Sequence, residues 1–557
     1  MMHLSNVNKK NDNCNFNYER LKIWKFCFFL LFIFIQICVC IKIAEKKNVV
    51  FCDEIYSYGL ANSEDYSRLN YTSFNDYSDS NWVSEDYYLN FVLVNRDTDL
   101  SFKAPYVNQE SDVHPPLYYC LLHFVCFLFA GSYTKWIGIG LNLFVLFFLD
   151  ILLYYIADYI FDRNYTDTVL AVALWSFSAA GLSNILFIRM YLLLTFFMLA
   201  YIAIHIHIIK RKRCSTRDLL LLFTCVIFGG LTHYYFYVYV FFFSVHIGIY
   251  LLFTKKIKML AIYYIDQSMA FLLNFLIFPA TFTHVFNRNR GTEVLDNLGG
   301  SNREECFEYY CDKINKSFFA GTIKVFVVIG LMLILYRLFL NIIDDWIGKK
   351  RMERNCPFDG GIYRIIIITI IILSALGFAY VAIVGSGFMQ NRYIYPIYPF
   401  FSLIVIAFFH RIISNITSQS MIKALAKVVL VTAMCIGSIK IYHIDYFYPD
   451  YPAIEEKANT IKGYDCLQYF GKRWVDLYGA FDLKLLYDES YFFNDNDISN
   501  MQEILNKRKT QDNLVVSFSD KCSDETVDKI IHQIMEVTGH TDYQLVYNYY
   551  LKVYKLK

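Results

Sequence analysis

Asp53 and Glu54 lie side by side in Phe51-Cys52-Asp53-Glu54-Ile55-Tyr56-Ser57-Tyr58-Gly59, among aromatic and apolar residues. Desolvation pushes a carboxylate up toward the range in which it takes a proton, which suits general-base work. His114-Pro115-Pro116-Leu117-Tyr118-Tyr119 sets a histidine at the mouth of a helix whose entry the two prolines fix. Asp112 nearby would keep that histidine charged or join it on a metal, although two ligands are not a metal signature. Arg189-Met190-Tyr191 and Gln390-Asn391-Arg392-Tyr393 each place a guanidinium beside a tyrosine, and arginine makes planar, bidentate contacts with phosphate. Thr232-His233-Tyr234-Tyr235 is again polar and aromatic together. Each motif also has a plainer reading: a solvated loop start, a turn with an incidental histidine, a structural His233, or arginines snorkelling to headgroups.

The elements that must position these residues follow from composition. The 557 residues are 56% hydrophobic and only 18% charged, against about 25% charged in soluble domains. Lys+Arg 52 against Asp+Glu 50 leaves no basic field for nucleic acid. With Gly 24, Pro 9 and Cys 15, collagen-like and small disulfide-scaffold classes fail as well. An all-α polytopic membrane protein with substantial non-membrane parts remains.

A crossing helix needs about 20 apolar residues. Apolar segments occupy 25–44, 117–130, 136–157, 168–187, 190–209, 218–232, 234–253, 258–282, 321–343, 362–384, 394–413 and 421–441. The first is long and lacks a small-residue cleavage step at Ile41-Lys42-Ile43, so a retained anchor is favoured over a signal peptide. Basic clusters mark the cytoplasmic side. They stand at Lys210-Arg211-Lys212-Arg213, at Lys255-Lys256 with Lys258, at Lys349-Lys350-Arg351 with Arg354, and from His410-Arg411 to Lys427. All fall on one side only if 117–130 does not cross but returns to the outer face. This parity predicts about eleven crossings, a cytoplasmic N-terminal tail (1–23) and an outside C-terminus.

The first outer loop (45–131) holds, between Asn48 and His114, twelve acidic and three basic residues, a composition too patterned for a simple connection. A second covers 283–320. The tail, 442–557, reads as a small α/β domain: a buried strand at 513–518, a helix capped by Ser523, and a strand over Gln544–Lys552. Cys306, Cys311, Cys466 and Cys522 could pair if the outside is oxidising. Asn70-Tyr71-Thr72 is a sequon of a kind that an Asn-rich chain generates by chance.

Asp53-Glu54 after the first span, the HPPLYY turn, the RMY junction, THYY and the late RY-x-x-P together resemble the membrane glycosyltransferases of the C-type fold. Bacterial relatives of protein O-mannosyltransferases and lipid A aminoarabinose transferases are the nearest group. The resemblance covers 24–441, a transmembrane glycosyltransferase module; the tail has no counterpart in it. It implies a polyprenyl-phosphate sugar as donor, reached from the bilayer, and an acceptor hydroxyl on protein, lipid or polysaccharide. It further implies Asp53 as base and Glu54 as its orienting partner. Arg392 becomes the phosphate clamp, Arg189, Tyr191, His233 and Tyr393 assist, and His114 binds phosphate or a divalent metal. A mannosyltransferase-like enzyme of the bacterial plasma membrane and cell envelope fits best, with the endoplasmic reticulum left open. A transporter or flippase of a lipid-linked sugar would use Asp150 and Asp266, the main acids within spans. A receptor or scaffold is the third reading.

Overall fold

The computed structural model describes residues 2–64, 82–95, 100–286, 289–300, 302–346, 358–386, 388–469, 479–506 and 513–557. Asn70-Tyr71-Thr72 and the cluster Lys349-Lys350-Arg351 with Arg354 lie outside the described residues. The chain forms two compact units. One comprises Met1–Ala44, Asn142–Leu186 and Met190–Asp445; the other comprises Glu45–Leu141, Phe187–Arg189 and Tyr446–Lys557.

Among the described residues eight helices are long and apolar enough to cross a membrane: Ile23–Ala44, Lys135–Ile160, Tyr191–Arg211, Tyr235–Phe253, Ile257–Ile277, Tyr363–Gly385, Asn391–Ile416 and Ser420–Tyr442. Tyr165–Phe177 and Ala179–Leu186, which meet at 66°, make a ninth if they form one span. Ser178 makes the bend. Its Oγ donates to Trp175 O (2.8 Å) and accepts from Gly181 N (3.1 Å), and Ala179 N donates to Ser438 Oγ at 3.0 Å. A Cβ at Gly181 would lie 1.8 Å from the Trp175 carbonyl oxygen, so only glycine fits the inner side of this corner.

One of the expected eleven crossings falls below the length that hydropathy requires, whereas Ile323–Trp346 has 24 residues. Thr216–Thr232 has 17 residues, about 25 Å of helix. Within Ile323–Trp346 the described apolar stretch is Ile323–Met332. Leu117–Leu128, at 12 residues, is too short to span. Outward residues such as Phe253 (85% exposed) and Leu276 (78%) are apolar, the inverse of a soluble surface. Buried polar groups between the helices satisfy one another, as where Tyr201 Oη meets Tyr263 Oη at 2.7 Å and donates to Gln267 Oε1 at 2.9 Å.

Among the described residues the second unit takes four short helices from 45–131, Cys52–Asn62, Glu85–Val92, Lys103–Ser111 and Leu117–Leu128. It also holds a six-stranded sheet. The strands are β1 (Val83–Ser84), β2 (Asp465–Tyr469), β3 (Glu489–Phe493), β4 (Leu514–Ser519), β5 (Tyr543–Tyr549) and β6 (Leu551–Leu556), in the order β1-β3-β2-β4-β6-β5. β2 pairs in parallel with β3 and β4, and the outer pairings are antiparallel. β4 is buried along its whole length because both faces are covered. Leu514, Val516 and Phe518 pack with Val527, Ile530, Ile531 and Ile534 of helix Asp524–Thr538, whereas Val515 packs on the other face with Val49, Tyr451 and Leu483.

Two expectations are corrected here. Gln544–Lys552 is not one strand: Tyr550, at φ +53°, reverses the chain between β5 and β6. The apolar alternation runs unbroken through a turn that carries no glycine, so the pattern conceals it. Cys306, Cys311, Cys466 and Cys522 form no disulfide among the described residues. Cys306 and Cys311 sit five residues apart on helix Arg303–Ser317 and therefore on different faces. Cys466 packs in the cluster on one face of the sheet, and Cys522 against the cluster on the other.

Asp482, in the short helix Phe481–Lys484, accepts from Val50 N–H. Burial pushes its carboxyl from the ordinary 3.8 up to about 6 against that hydrogen bond, and Glu455 adds to the rise. A carboxyl raised on folding stabilises most below about pH 4, and that contribution is lost as pH climbs through about 6. Asp482→Asn should therefore flatten the fall in thermal stability between pH 4 and pH 6; an unchanged difference in unfolding midpoint between these two pH values would contradict it.

Candidate functional site

Helix Cys52–Asn62 begins without a hydroxyl cap, since its N-cap is Phe51. Glu54, three residues on, supplies the missing acceptor: its Oε2 takes the Phe51 N–H at 2.8 Å. Its Oε1 accepts from Lys47 Nζ at 2.7 Å and from Ile188 N at 2.8 Å. Lys47 and Glu54 side chains are 1% and 0% exposed, so the ion pair is dry. Both Glu54 oxygens are engaged by the protein itself, an arrangement suited to positioning rather than to proton transfer.

With Glu54 turned inward, Asp53 occupies the adjoining helix face, 8% exposed. Arg189 approaches the same helix. Its Nη1 donates to Ser57 Oγ at 3.2 Å and to the Asp53 carbonyl at 3.5 Å, and its guanidinium carbon lies 6.0 Å from the Tyr119 ring centre. Ser57 Oγ donates in turn to Asp53 O at 3.0 Å. Arg189, Asp112 and Asp53 all act electrostatically on Tyr119, which draws these charges into one neighbourhood. His114 Nδ1 and Asp112 Oδ2 are 2.8 Å apart. Burial pushes the Asp112 carboxyl up, but the hydrogen bond and charge of His114, with Val113 N–H and Arg189, outweigh it and hold the carboxyl below the usual range. An ionised Asp112 on Nδ1 fixes the orientation of the His114 ring.

Tyr191, His233, Arg392 and Tyr393 belong to the other unit. The Tyr191 ring centre lies 5.7 Å from His233, 6.3 Å from Tyr393 and 6.2 Å from Tyr395. His233 Nδ1 accepts from Tyr235 N at 3.0 Å, which makes Nε2 the protonated nitrogen of the neutral ring. Arg392 is half-buried, its guanidinium carbon 5.5 Å from the Tyr393 ring centre. Both sit in the 3₁₀ turn Asn391–Ile397, which Asp445 pins. Asp445 Oδ2 accepts from Asn391 Nδ2 (2.9 Å) and Tyr395 Oη (2.7 Å), Oδ1 accepts from Tyr442 Oη (2.9 Å), and Asp445 N donates to Ser183 Oγ at 2.9 Å.

The eight expected residues thus divide evenly: Asp53, Glu54, His114 and Arg189 in one unit, Tyr191, His233, Arg392 and Tyr393 in the other. Lys47, Ser57 and Asp445 went unread. Asp445, an acid among tyrosines just past a span, carries the same signal that singled out Asp53. Lys47 carries none, because it precedes the helix of Glu54 and stands beyond the three- and four-residue spacings at which neighbouring side chains pair. Among the described residues no group of three His, Cys, Asp or Glu could hold a metal, so Asp112 and His114 supply at most two ligands.

No family model and no curated protein matches the chain. Among solved structures, ArnT from Cupriavidus metallidurans bound to undecaprenyl phosphate is similar at TM-score 0.47 and 10% identity, over 93% of this chain and 97% of that one. Its apo state gives TM-score 0.43 at 10% identity, over 90% and 96%. The archaeal oligosaccharyltransferase AglB from Archaeoglobus fulgidus, in complex with an inhibitory peptide and a dolichol-phosphate, gives TM-score 0.40 at 10% identity, over 92% and 72%. TM-scores below 0.5 leave any assignment of function to the site residues themselves.

Replacing Lys47 by Met would strand the buried Glu54 carboxylate and should cost about 3–5 kcal/mol of stability. Adding Glu54→Gln should recover much of the loss; additive losses in the two variants, measured by chemical unfolding in detergent, would show that the pair is not coupled.

Proposed function

We propose that the protein is an integral-membrane glycosyltransferase that moves a sugar from a polyprenyl-phosphate donor to an acceptor hydroxyl, with inversion, on the extracytoplasmic face. The observation that carries this reading is Asp53 on a helix anchored through Glu54, with the Arg189 guanidinium against the same helix. Asp53 takes the proton of the acceptor hydroxyl as its oxygen attacks the anomeric carbon. The bond from that carbon to the donor phosphate breaks, and the electron pair leaves on phosphate. A phosphate leaves without being protonated, so one base suffices, unlike the two-carboxylate hydrolases. Cationic groups stabilise the charge that gathers on it. Arg392 acts as phosphate clamp with Tyr393, Tyr191 and His233 about it, while Arg189 and the Asp112–His114 pair serve the side of the base. No step needs a metal. A mannosyl-type hexose is the sugar we favour, and the acceptor stays general: protein, lipid or polysaccharide.

The accompanying topology has eleven crossings, with Thr216–Thr232, Ile323–Trp346 and the bent pair all spanning. It puts the N-terminus in the cytoplasm and the C-terminus outside, in a bacterial plasma membrane. A flippase of the same lipid-linked sugar is the second reading, favoured by Asp150, which is fully buried within a span and accepts from Gln36 Nε2 at 2.8 Å.

Asp53→Asn is expected to lower sugar transfer by about 10²–10⁴-fold with expression and insertion intact; near-normal turnover would refute the base. Arg392→Ala should raise the donor KM roughly tenfold or more with a smaller effect on kcat, as loss of a charged hydrogen bond implies. Unchanged donor dependence would remove the clamp. Movement of labelled lipid across vesicles without a new glycosidic bond would decide for the flippase.

A further inference from the structure

Around the C-terminal ends of the helices Lys135–Ile160, Tyr191–Arg211 and Tyr235–Phe253 and the start of Phe358–Gly385, tyrosines and cations interleave. Lys210 Nζ lies 5.0 Å from the ring centre of Tyr155 and 5.6 Å from that of Tyr159. The Arg364 guanidinium carbon lies 6.0 Å from the Tyr159 ring, and its Nη2 pairs with Asp162. Lys212 Nζ lies 5.5 Å from the Tyr363 ring. Tyr250 acts electrostatically on Tyr159, and Tyr363 acts on Tyr250, so the four rings form one group. Lys210 and Lys212 are exposed; Arg364 and the tyrosines are half-buried.

The charge balance selects the ligand. Arg364 pairs with Asp162 and Asp158 acts on Tyr155, so with Lys210 and Lys212 the group holds three cations against two carboxylates; Arg211 and Arg213 flank Lys212 in sequence. Tyrosine hydroxyls add neutral donors, and ring faces hold the lysine stems in place at little entropic cost. Exposed apolar side chains stand within a turn of Tyr250 and Arg364 on the same helices: Ile249 at 46%, Phe253 at 85% and Ile365 at 64%. A soluble anion has no use for those apolar side chains, and a zwitterionic lipid brings an amine that the cations repel.

We infer that this cluster binds the headgroup phosphate of an anionic phospholipid, whose acyl chains lie along Ile249, Phe253 and Ile365. The site is separate from every residue assigned to sugar transfer and stands whether or not that assignment does. The test is retention of phosphatidylglycerol, phosphatidylcholine or inorganic phosphate by the detergent-purified full-length protein, read by native mass spectrometry. Phosphatidylglycerol should be kept in preference to phosphatidylcholine. Removing a basic residue near the surface should weaken it about fivefold. Lys212→Gln, at an exposed position, should show that single step, and the triple change with Lys210→Gln and Arg364→Gln a loss of more than about 100-fold. Equal retention of the two lipids, or undiminished phosphatidylglycerol on Lys212→Gln, would overturn the proposal. Displacement of the lipid by millimolar inorganic phosphate would overturn its lipid source.

Discussion

The buried Glu54 carboxylate is the constraint on which the placement of Asp53 depends. One side chain receives an ammonium and two backbone N–H groups, from Lys47, Phe51 and Ile188, and so ties three points of the second unit together. Burying such a charge is costly unless every lone pair is engaged, and here the partners are close and dry. The result is a helix start that cannot rotate about its axis. Adjacent residues on a helix lie 100° apart, so fixing Glu54 inward also fixes where Asp53 stands. Arg189 reads the same helix one turn further along, at Ser57.

A second carboxylate does comparable work in the other unit. Asp445 gathers two tyrosine hydroxyls and an asparagine amide, and so holds a 3₁₀ turn that backbone hydrogen bonds alone would leave weak. Tyr310 supports the approach to that turn by donating to Gln390 O at 3.2 Å, and Tyr398 donates to Asn391 Oδ1 at 2.6 Å. The turn presents Arg392 and Tyr393 from a braced backbone, and preorganised cations are worth most where they need not move. In both units a carboxylate engaged by several protein donors braces the backbone next to a candidate site residue.

Composition and span length alone were enough to read the helical membrane architecture, because a run of apolar residues has few other fates. The α/β tail was readable where the local signals agree: Ser523 accepts from Thr526 N–H, and Val527, Ile530, Ile531 and Ile534 fall on one helix face. It failed at Tyr550, where a left-handed residue that is not glycine reverses the chain without any turn signature. Asp53 and Arg189 stood out because charge among apolar residues is rare. Lys47 and Ser57 did not, because their roles come from distant contacts that no spacing encodes. Nor did the sequence indicate that the segment around Val83 folds with the tail, since the pairing of Val83 with Ser490 rests on two residues of strand.

That pairing has a bearing on biosynthesis. Trp82 donates its indole N–H to Ile504 O, 422 positions away along the chain, beside the β1–β3 ladder. The early segment must therefore wait, its strand edge open, while the intervening helices are inserted and the distant partner is made. Loop closure over such a span adds little extra free energy, since the entropic penalty grows only logarithmically, but it takes time. Until the late strands arrive, the edge of Val83–Ser84 lacks the strand it pairs with in the finished fold.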